Sequence, residues 1–137
     1  MSTEQTTPFS ARLDVRLVER LKARSARDGV SASQLAERYI DEGVRCEEFP
    51  GIVFRPGPAG RRAGLSGGPD VWEIVRDVRG AREADAADPL AAVAAASDLT
   101  DAQVRLAAAY YTAYPEEIDA RISAEDEFAE KLLAGTV

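Results

Sequence analysis

The chain has 137 residues and a mass of 14.7 kDa, the common size of one domain or of two very small ones. Its 17 basic and 24 acidic residues give a net charge of −7, and 45% of the residues are hydrophobic, as in ordinary globular domains. With no histidine and one cysteine, the chain cannot form Ser-His-Asp or Cys-His catalytic groups, His-containing zinc sites or multi-thiolate metal sites. We therefore expect no enzymatic activity, no cofactor and no metal.

The sequence also predicts neither a membrane span nor a secretion signal. No apolar run approaches the ~20 residues that span a bilayer. The segment 1–5 has neither a basic flank nor an apolar stretch, and the lone Cys46 fits a reducing compartment. We expect a cytoplasmic protein with no membrane partner.

Charge is distributed unevenly along the chain. Residues 1–46 hold eight basic and seven acidic residues, whereas the remainder holds nine basic and 17 acidic ones. The more basic N-terminal part and the acidic C-terminal part indicate two surfaces with different partners.

The first element predicted from the sequence is a short strand. Phe9, Ala11 and Leu13 alternate with Ser10 and Arg12, which places the apolar residues on one face and the polar ones on the other.

Two helices are predicted after this strand. Asp14 is a candidate N-cap for a helix over residues 15–28, and Gly29 can adopt the positive φ that ends it. A capping box at Ser31 starts a second helix that runs to about Val44.

A lone strand and two helices do not make a stable unit, because the strand edges stay unpaired and about 45 residues bury too little surface. Antiparallel pairing with the same strand of a second copy solves both difficulties and predicts a homodimer. The expected dimer core is Phe9, Ala11, Leu13, Leu17, Leu21, Leu35 and Tyr39. Ser10 and Arg12 then face outward from a two-stranded ribbon that fits the DNA major groove.

The order of strand, helix, Asp28-Gly29 turn and Ser-capped helix resembles the ribbon-helix-helix fold of Arc- and MetJ-class repressors and many bacterial antitoxins, over residues 8–45. The resemblance implies that Ser10 and Arg12 read bases and that the start of the second helix holds a phosphate. Free N–H groups and the helix dipole both favour an anion there. The predicted DNA-binding residues are Ser10, Arg12, Arg16, Ser31, Ala32 and Ser33.

The second part of the chain is predicted to form a hairpin and short helices. Residues 51–55 and 61–65 are candidate strands around a Pro- and Gly-rich turn. Four helices follow, over about residues 71–79, 89–97, 101–114 and 116–122. The first starts at a capping box of Asp70 and Glu73, carries an apolar stripe of Val71, Ile74, Val75 and Val78, and ends at Gly80. The third starts at a capping box at Thr100 and is expected to pack Val104, Ala108 and Tyr111.

The sequence of residues 67–74 and 99–118 resembles that of a small helix-turn-helix-like bacterial domain of uncharacterised-antitoxin type. Such domains are often encoded beside PIN-like ribonuclease toxins. This resemblance covers residues 49–122 and implies such a toxin as partner.

Two interpretations of this domain stay open. Residues 97–122 contain two arginines and five acids, so phosphate would repel them, and we interpret the domain as a protein-binding module. The basic hairpin residues Arg55, Arg61 and Arg62 favour the alternative, a DNA-binding wing.

The aromatic residues and the acidic tail also have two interpretations. At helical spacing, Trp72, Tyr111 and Tyr114 belong either to the core or to an interface. The tail, residues 123–137, is either a disordered end or an amphipathic helix whose apolar face lies in a groove of the partner. The candidate toxin-binding residues are Trp72, Tyr111, Tyr114, Phe128, Leu132 and Leu133.

The sequence thus predicts a mainly α protein with three parts. These are a ribbon-helix-helix domain over 1–46, a hairpin and helix-turn-helix-like domain over 49–122, and an acidic amphipathic tail over 123–137. The expected function is that of a type II antitoxin that represses its own operator DNA as a homodimer and neutralises a PIN-like ribonuclease toxin. The alternative is a stand-alone dimeric transcriptional repressor whose C-terminal domain senses a ligand or multimerises.

Overall fold

The computed structural model describes residues 5–135, and this part of the chain is mainly helical with one small antiparallel sheet, as predicted. Residues 1–4 of the predicted DNA-binding domain and residues 136–137 of the predicted tail lie outside the described residues. The elements are α1 (Val15–Asp28), α2 (Ala32–Glu48), β1 (Ile52–Arg55), β2 (Arg62–Leu65), α3 (Val71–Glu83), α4 (Pro89–Ser97), α5 (Asp101–Ala113) and α6 (Pro115–Leu133).

The chain divides into two compact units. The first ends at Gly43 and the second begins at Val44, so the boundary falls within α2. Among residues 5–135, each helix is too short or too polar to cross a membrane.

The helix ends of the first unit follow the local signals in the sequence. The Asp14 carboxylate accepts a hydrogen bond from the Arg16 N–H at 2.8 Å, and Gly29 ends α1 with a φ of 69°. The capping box at Ser31 is present: Gln34 N–H donates to Ser31 Oγ at 3.1 Å, and Ser31 N–H donates to Gln34 Oε1 at 3.2 Å. Helix α1 has the predicted bounds, whereas α2 continues past Val44 to Glu48.

Residues 5–14, which precede α1, form neither helix nor strand in the single chain. Residues 5–14 are all exposed, and Phe9 is 82% exposed. Both strands of the described chain follow α2. The N-terminal strand was predicted to form by pairing with the same strand of a second copy. A single chain does not test this pairing, so the strand stays a prediction.

The second unit is built on the predicted hairpin, in which Ile52 lies opposite Leu65 and Arg55 opposite Arg62. One hydrophobic core joins this hairpin to the four helices that follow. Its buried residues are Ile52, Ala63, Leu65, Val71, Ile74, Val75, Val93, Ala94, Val104, Ala107, Tyr110, Ile118 and Ile122.

The buried face of α5 differs from the one expected from the sequence. Val104 is buried as expected, but the next buried positions are Ala107 and Tyr110, not Ala108 and Tyr111. Residues three and four positions apart both lie on the same helix face. Periodicity alone therefore did not distinguish Ala107 and Tyr110 from Ala108 and Tyr111 as the buried positions. The tyrosine that fills the core is Tyr110, which is 0% exposed.

Two helices are longer than the sequence predicted. Helix α3 continues through Gly80, which the sequence predicted as its end. Because Gly80 is exposed, its missing side chain removes no packing contact from the helix. Helix α6 continues from Pro115 to Leu133, so the predicted short helix and most of the predicted tail form one helix. Neither glycine nor proline interrupts residues 116–133.

Asp70 joins the hairpin to α3. Its side chain is nearly buried, and its carboxylate oxygens lie 2.9 Å from Arg55 Nη2 and 2.7 Å from Arg62 Nε. Trp72 Nε1 also donates to this carboxylate at 3.2 Å. The Asp70 backbone N–H donates to the Glu73 carboxylate at 2.9 Å. This is one of the two hydrogen bonds of the predicted capping box. One carboxylate therefore connects both strands with the first turn of a helix.

The close approach of Arg55 explains a glycine in β2. Arg55 also donates to the carbonyl oxygens of Leu65 at 3.0 Å and Gly68 at 2.9 Å. A Cβ on Gly64 would overlap the Arg55 guanidinium. Position 64 therefore has to lack a side chain for the Arg55–Asp70 pair to form.

We expect Asp70→Asn to lower the free energy of unfolding by about 2–4 kcal/mol, because two guanidinium groups lose their shared charge partner in a nearly buried site. Urea denaturation of the full chain measures the change. Asp77→Asn is the matched control, since Asp77 is exposed and lies 4.0 Å from Arg76; it should change stability by less than ~0.5 kcal/mol. Equal stabilities of the two variants would contradict a structural role for Asp70.

Candidate functional site

The first unit has an open apolar groove between its two helices. Six side chains line it together with Arg20 and Arg24, and the groove encloses about 470 Å³. We call these six the N-terminal apolar groove: Leu13, Leu17, Leu21, Ala36, Tyr39 and Ile40.

Most of the predicted dimer-core residues are uncovered in the single chain. Leu35 is buried and Leu21 is half-buried, whereas Leu17 is 42% and Tyr39 is 46% exposed. Phe9, Ala11 and Leu13 are exposed in the segment before α1. The groove therefore brings Leu13, Leu17, Leu21 and Tyr39 together without covering them.

Basic side chains follow one side of α1. Arg16, Arg20, Arg24 and Arg27 are spaced by four, four and three residues, which places them on one helix face, and all four are exposed. Among the predicted DNA-binding residues, Ser10 and Arg12 are exposed before this helix, and Arg16 lies in its first turn.

The start of α2 presents backbone donors. Leu35 N–H makes the first helical bond to the Ser31 carbonyl at 3.0 Å, so the N–H groups of Ala32 and Ser33 precede the helical ladder. No acidic residue lies in this first turn. The helix start is therefore suited to an anion such as a DNA phosphate.

The predicted partner-binding tyrosines are held inside the second unit. Tyr114 packs on Phe49 and Tyr110 with ring centroids 6.1 and 5.0 Å apart, and the Arg45 guanidinium lies 4.0 Å from its ring centroid. Arg45 also donates to the Tyr110 hydroxyl at 2.9 Å and to Glu117 at 2.6 Å. Burial raises the pKa of Tyr110, and its hydrogen bond to Glu117 raises this pKa further.

Tyr111 belongs to a polar cluster between α3, α5 and α6. Its hydroxyl donates to Asp119 at 2.8 Å, and Arg79 donates to both the Tyr111 hydroxyl and the Asp119 carboxylate. The hydrogen bond from Tyr111, followed by that from Arg79, holds the pKa of Asp119 below its ordinary value. These contacts indicate that Tyr111 fixes α6 against its neighbours.

The other candidate partner-binding residues lie on the second half of α6. Phe128, Leu132 and Leu133 are 53%, 59% and 89% exposed. They are large apolar side chains without cover, in contrast to Trp72, Tyr111 and Tyr114, which pack against the core.

A second concavity lies between the hairpin, α3 and α6 and encloses about 350 Å³. We call it the arginine pocket because Arg61, Arg62 and Arg121 line it, together with Trp72. Arg121 was not singled out from the sequence, because a basic residue in a mainly acidic helix gives no specific signal. The alternative interpretation grouped Arg55 with the other hairpin arginines as a DNA-binding wing; in the structure Arg55 is bound to Asp70.

No family model, curated protein sequence or solved structure matches this chain. The features available for a functional argument are therefore its own surfaces: the N-terminal apolar groove with its basic flank, the exposed end of α6 and the arginine pocket.

The lowered pKa of Asp119 predicts a pH dependence of stability. A lowered folded-state pKa stabilises the fold above the unfolded pKa of about 4, and this stabilisation is lost as pH falls through the folded value. We expect Asp119→Asn to lower the free energy of unfolding at pH 7 by less than ~1 kcal/mol, because the pair is half-exposed. The difference from wild type should shrink in acid.

Urea denaturation at neutral and acidic pH measures this difference. Asp126→Asn on the exposed side of α6 is the control and should show no such pH dependence. A difference between Asp119→Asn and wild type that grows in acid would contradict the assignment.

Proposed function

We propose that the chain is the antitoxin of a type II toxin–antitoxin pair. In this proposal, the first unit forms a ribbon-helix-helix homodimer that binds its own operator DNA, and the second unit binds and neutralises a toxin, a PIN-like ribonuclease. The observation that carries the proposal is the uncovered N-terminal apolar groove beside an unpaired N-terminal segment.

The groove supports dimerisation because the first unit has almost no core of its own. Its buried residues among those described are Ser25 and Leu35. Burying a large apolar side chain stabilises by roughly 1.5–3 kcal/mol, so covering Leu17, Tyr39 and Ile40 offers a large gain. A second copy can supply both the missing cover and the antiparallel partner for residues 9–13.

The charge of the first unit supports DNA as the ligand. In an antiparallel ribbon, Arg12 and Ser10 of both copies face away from the core and toward the base edges of the major groove. The exposed arginines of α1 and the N–H groups at the start of α2 can then contact phosphates on either side. Affinity for DNA should accordingly fall steeply with salt.

The end of α6 supports a protein partner for the second unit. Phe128, Leu132 and Leu133 form an exposed apolar surface bordered by Asp126, Glu127 and Glu130. An amphipathic helix of this type binds in a groove whose rim is basic. Because the helix is already formed, binding does not require ordering this segment.

A second candidate function is a stand-alone dimeric repressor whose C-terminal unit senses a ligand. The arginine pocket favours it, because a concavity of about 350 Å³ is large enough for a small molecule. A nuclease encoded in the neighbouring reading frame that co-purifies with the full chain would favour the antitoxin; absence of such a frame would favour the repressor.

Two variants test the DNA-binding dimer separately. We expect Arg12→Ala to remain dimeric and lose sequence-specific binding, because the main base-contacting side chain is gone. We expect Leu17→Asp to become monomeric and lose all tight DNA binding, because a charge enters the dimer core. Sedimentation gives the oligomeric state, and a mobility-shift assay on DNA upstream of the chain's own reading frame gives the affinity.

Arg105→Ala is the charge-matched control, because Arg105 is exposed on α5 in the other unit; it should bind DNA like wild type. A monomeric wild-type chain at micromolar concentration, or unchanged operator affinity of Arg12→Ala, would overturn the DNA-binding part of the proposal.

A further pair of variants tests partner capture by α6. We expect Leu132→Asp to weaken co-purification of the toxin encoded by the neighbouring frame by at least about tenfold while DNA binding is unchanged, since an exposed contact residue becomes charged. Ser123→Asp adds the same charge to an exposed position nearer the core and should retain capture. Equal capture by wild type and Leu132→Asp would exclude this surface.

A further inference from the structure

A concavity between α3, α4 and α5 carries an inference beyond DNA and toxin binding. It encloses about 370 Å³ and lies wholly within the second unit. Its wall is mainly apolar, and we call it the α3–α5 pocket after the two helices that supply most of this wall: Ile74, Val75, Val78, Leu90 and Ala108. We propose that this pocket binds a small carboxylic acid with an apolar body, whose carboxylate is held by Arg82 at the edge of the pocket.

Arg82 is a cation without a partner in the described chain. It lines the pocket and is exposed, and its guanidinium forms no hydrogen bond, ion pair or ring contact with residues 5–135. The other arginine of the pocket, Arg79, is already engaged, because it donates to the Tyr111 hydroxyl and to the Asp119 carboxylate. Arg82 is therefore the guanidinium that a ligand in this pocket can reach and pair with.

The pocket carries an excess of positive charge. None of the described residues that line it is acidic. Asp119 of α6 neutralises Arg79, which leaves the charge of Arg82 unmatched. The next acids along the chain, Glu83 and Asp85, are exposed and do not line the pocket. A ligand with a single negative charge matches this arrangement, because a guanidinium binds a carboxylate through two parallel N–H···O bonds.

The rest of the pocket wall favours an apolar ligand body. The Tyr111 hydroxyl donates to Asp119 at 2.8 Å, and Thr112 Oγ1 donates to the Ala108 carbonyl at 2.9 Å. Since Arg79 is paired as well, the wall away from Arg82 offers apolar contact in place of free donors. A volume of about 370 Å³ lies near the lower end of the range for small-molecule sites, which suits a phenyl ring or a short alkyl chain.

A protein partner would need more apolar surface than surrounds this pocket. The large apolar side chains that are exposed in the described chain lie either at or before Val44 or at Phe128, Leu132 and Leu133. None of them lies on α3, α4 or α5, so this surface lacks the apolar centre of a stable protein interface. The pocket therefore suits a small molecule and not a second copy of the chain.

Calorimetric titration of the full chain with 4-phenylbutyrate and with the uncharged 4-phenylbutanamide tests the proposal. We expect the acid to bind saturably and about fivefold more tightly than the amide, because only the acid pairs with Arg82. In ¹H–¹⁵N spectra, the backbone N–H signals of Ala108 and Thr112 should shift with either ligand. The signal of Ala59, which lines the arginine pocket, should not shift.

Arg82→Gln should weaken binding of the acid about fivefold and leave binding of the amide unchanged, so that the two ligands bind equally. The position is exposed, so folding is not at risk. Arg105→Gln is the matched control and should bind both ligands like wild type. Arg105 is exposed on α5, lies outside the pocket and is likewise unpaired within the described residues.

Ala108→Phe gives a second test, because it places a ring inside the pocket. We expect this variant to lose binding of both ligands, and circular dichroism checks that it is folded. Arg82→Gln decides the proposal if Ala108→Phe does not fold.

Four results would overturn the proposal. These are no saturable binding of the acid at millimolar concentration, equal affinity of the wild-type chain for acid and amide, equal weakening by Arg82→Gln and Arg105→Gln, or pocket signals that shift with protein concentration alone, which would place a second copy there. DNA binding and toxin capture use other surfaces and are measured separately, so failure here leaves the proposed function standing.

Discussion

The second unit depends on one nearly buried carboxylate. Asp70 accepts hydrogen bonds from Arg55 of β1 and from Trp72 of the following helix, and it forms an ion pair with Arg62 of β2. A two-stranded hairpin is marginally stable by itself, and this carboxylate connects it to α3 while the hairpin's apolar side chains enter the core. The same contacts place Arg62 and Trp72 on the wall of the arginine pocket, so the stabilising interaction also shapes the pocket.

In contrast to the second unit, the first unit leaves apolar side chains exposed to solvent. Its helices are well capped at Asp14 and Ser31, yet the side chains between them form a groove rather than a core. Local capping makes helices start and stop, but burial stabilises a domain, and here one chain provides too little of it. This imbalance is the physical reason for proposing a second copy.

Arginines in this chain have different environments that the sequence does not distinguish. Arg55 is enclosed by acceptors from the hairpin and Asp70, Arg45 is held by Tyr110 and Glu117, and Arg12 is exposed. A count of basic residues therefore gave a useful contrast between the two halves but no information on which guanidinium is available to a ligand. The alternative interpretation, a DNA-binding wing at Arg55, Arg61 and Arg62, stays a prediction, although Arg55 is already paired with Asp70.

The sequence determined what depends on neighbours within a few residues. Capping residues fixed the starts of α1, α2 and α5, glycine and proline marked the hairpin turn, and helical spacing gave the buried face of α3 and Val104 of α5. Such signals are local, since a cap or a turn acts over three or four positions. The candidate surfaces at Arg12 and Phe128 were also named from the sequence. Both side chains are exposed, so no contact with a distant residue had to be known to identify them.

Only the tertiary structure decided the contacts between distant residues. Arg45 meets Glu117 across 72 positions, and Arg79 meets Asp119 across 40. Periodicity places a residue on a face but does not say which other helix that face meets, so it chose Tyr111 for the core where the packing places Tyr110. The arginine pocket arises in the same way, because its walls come from elements that become neighbours only after the core has formed.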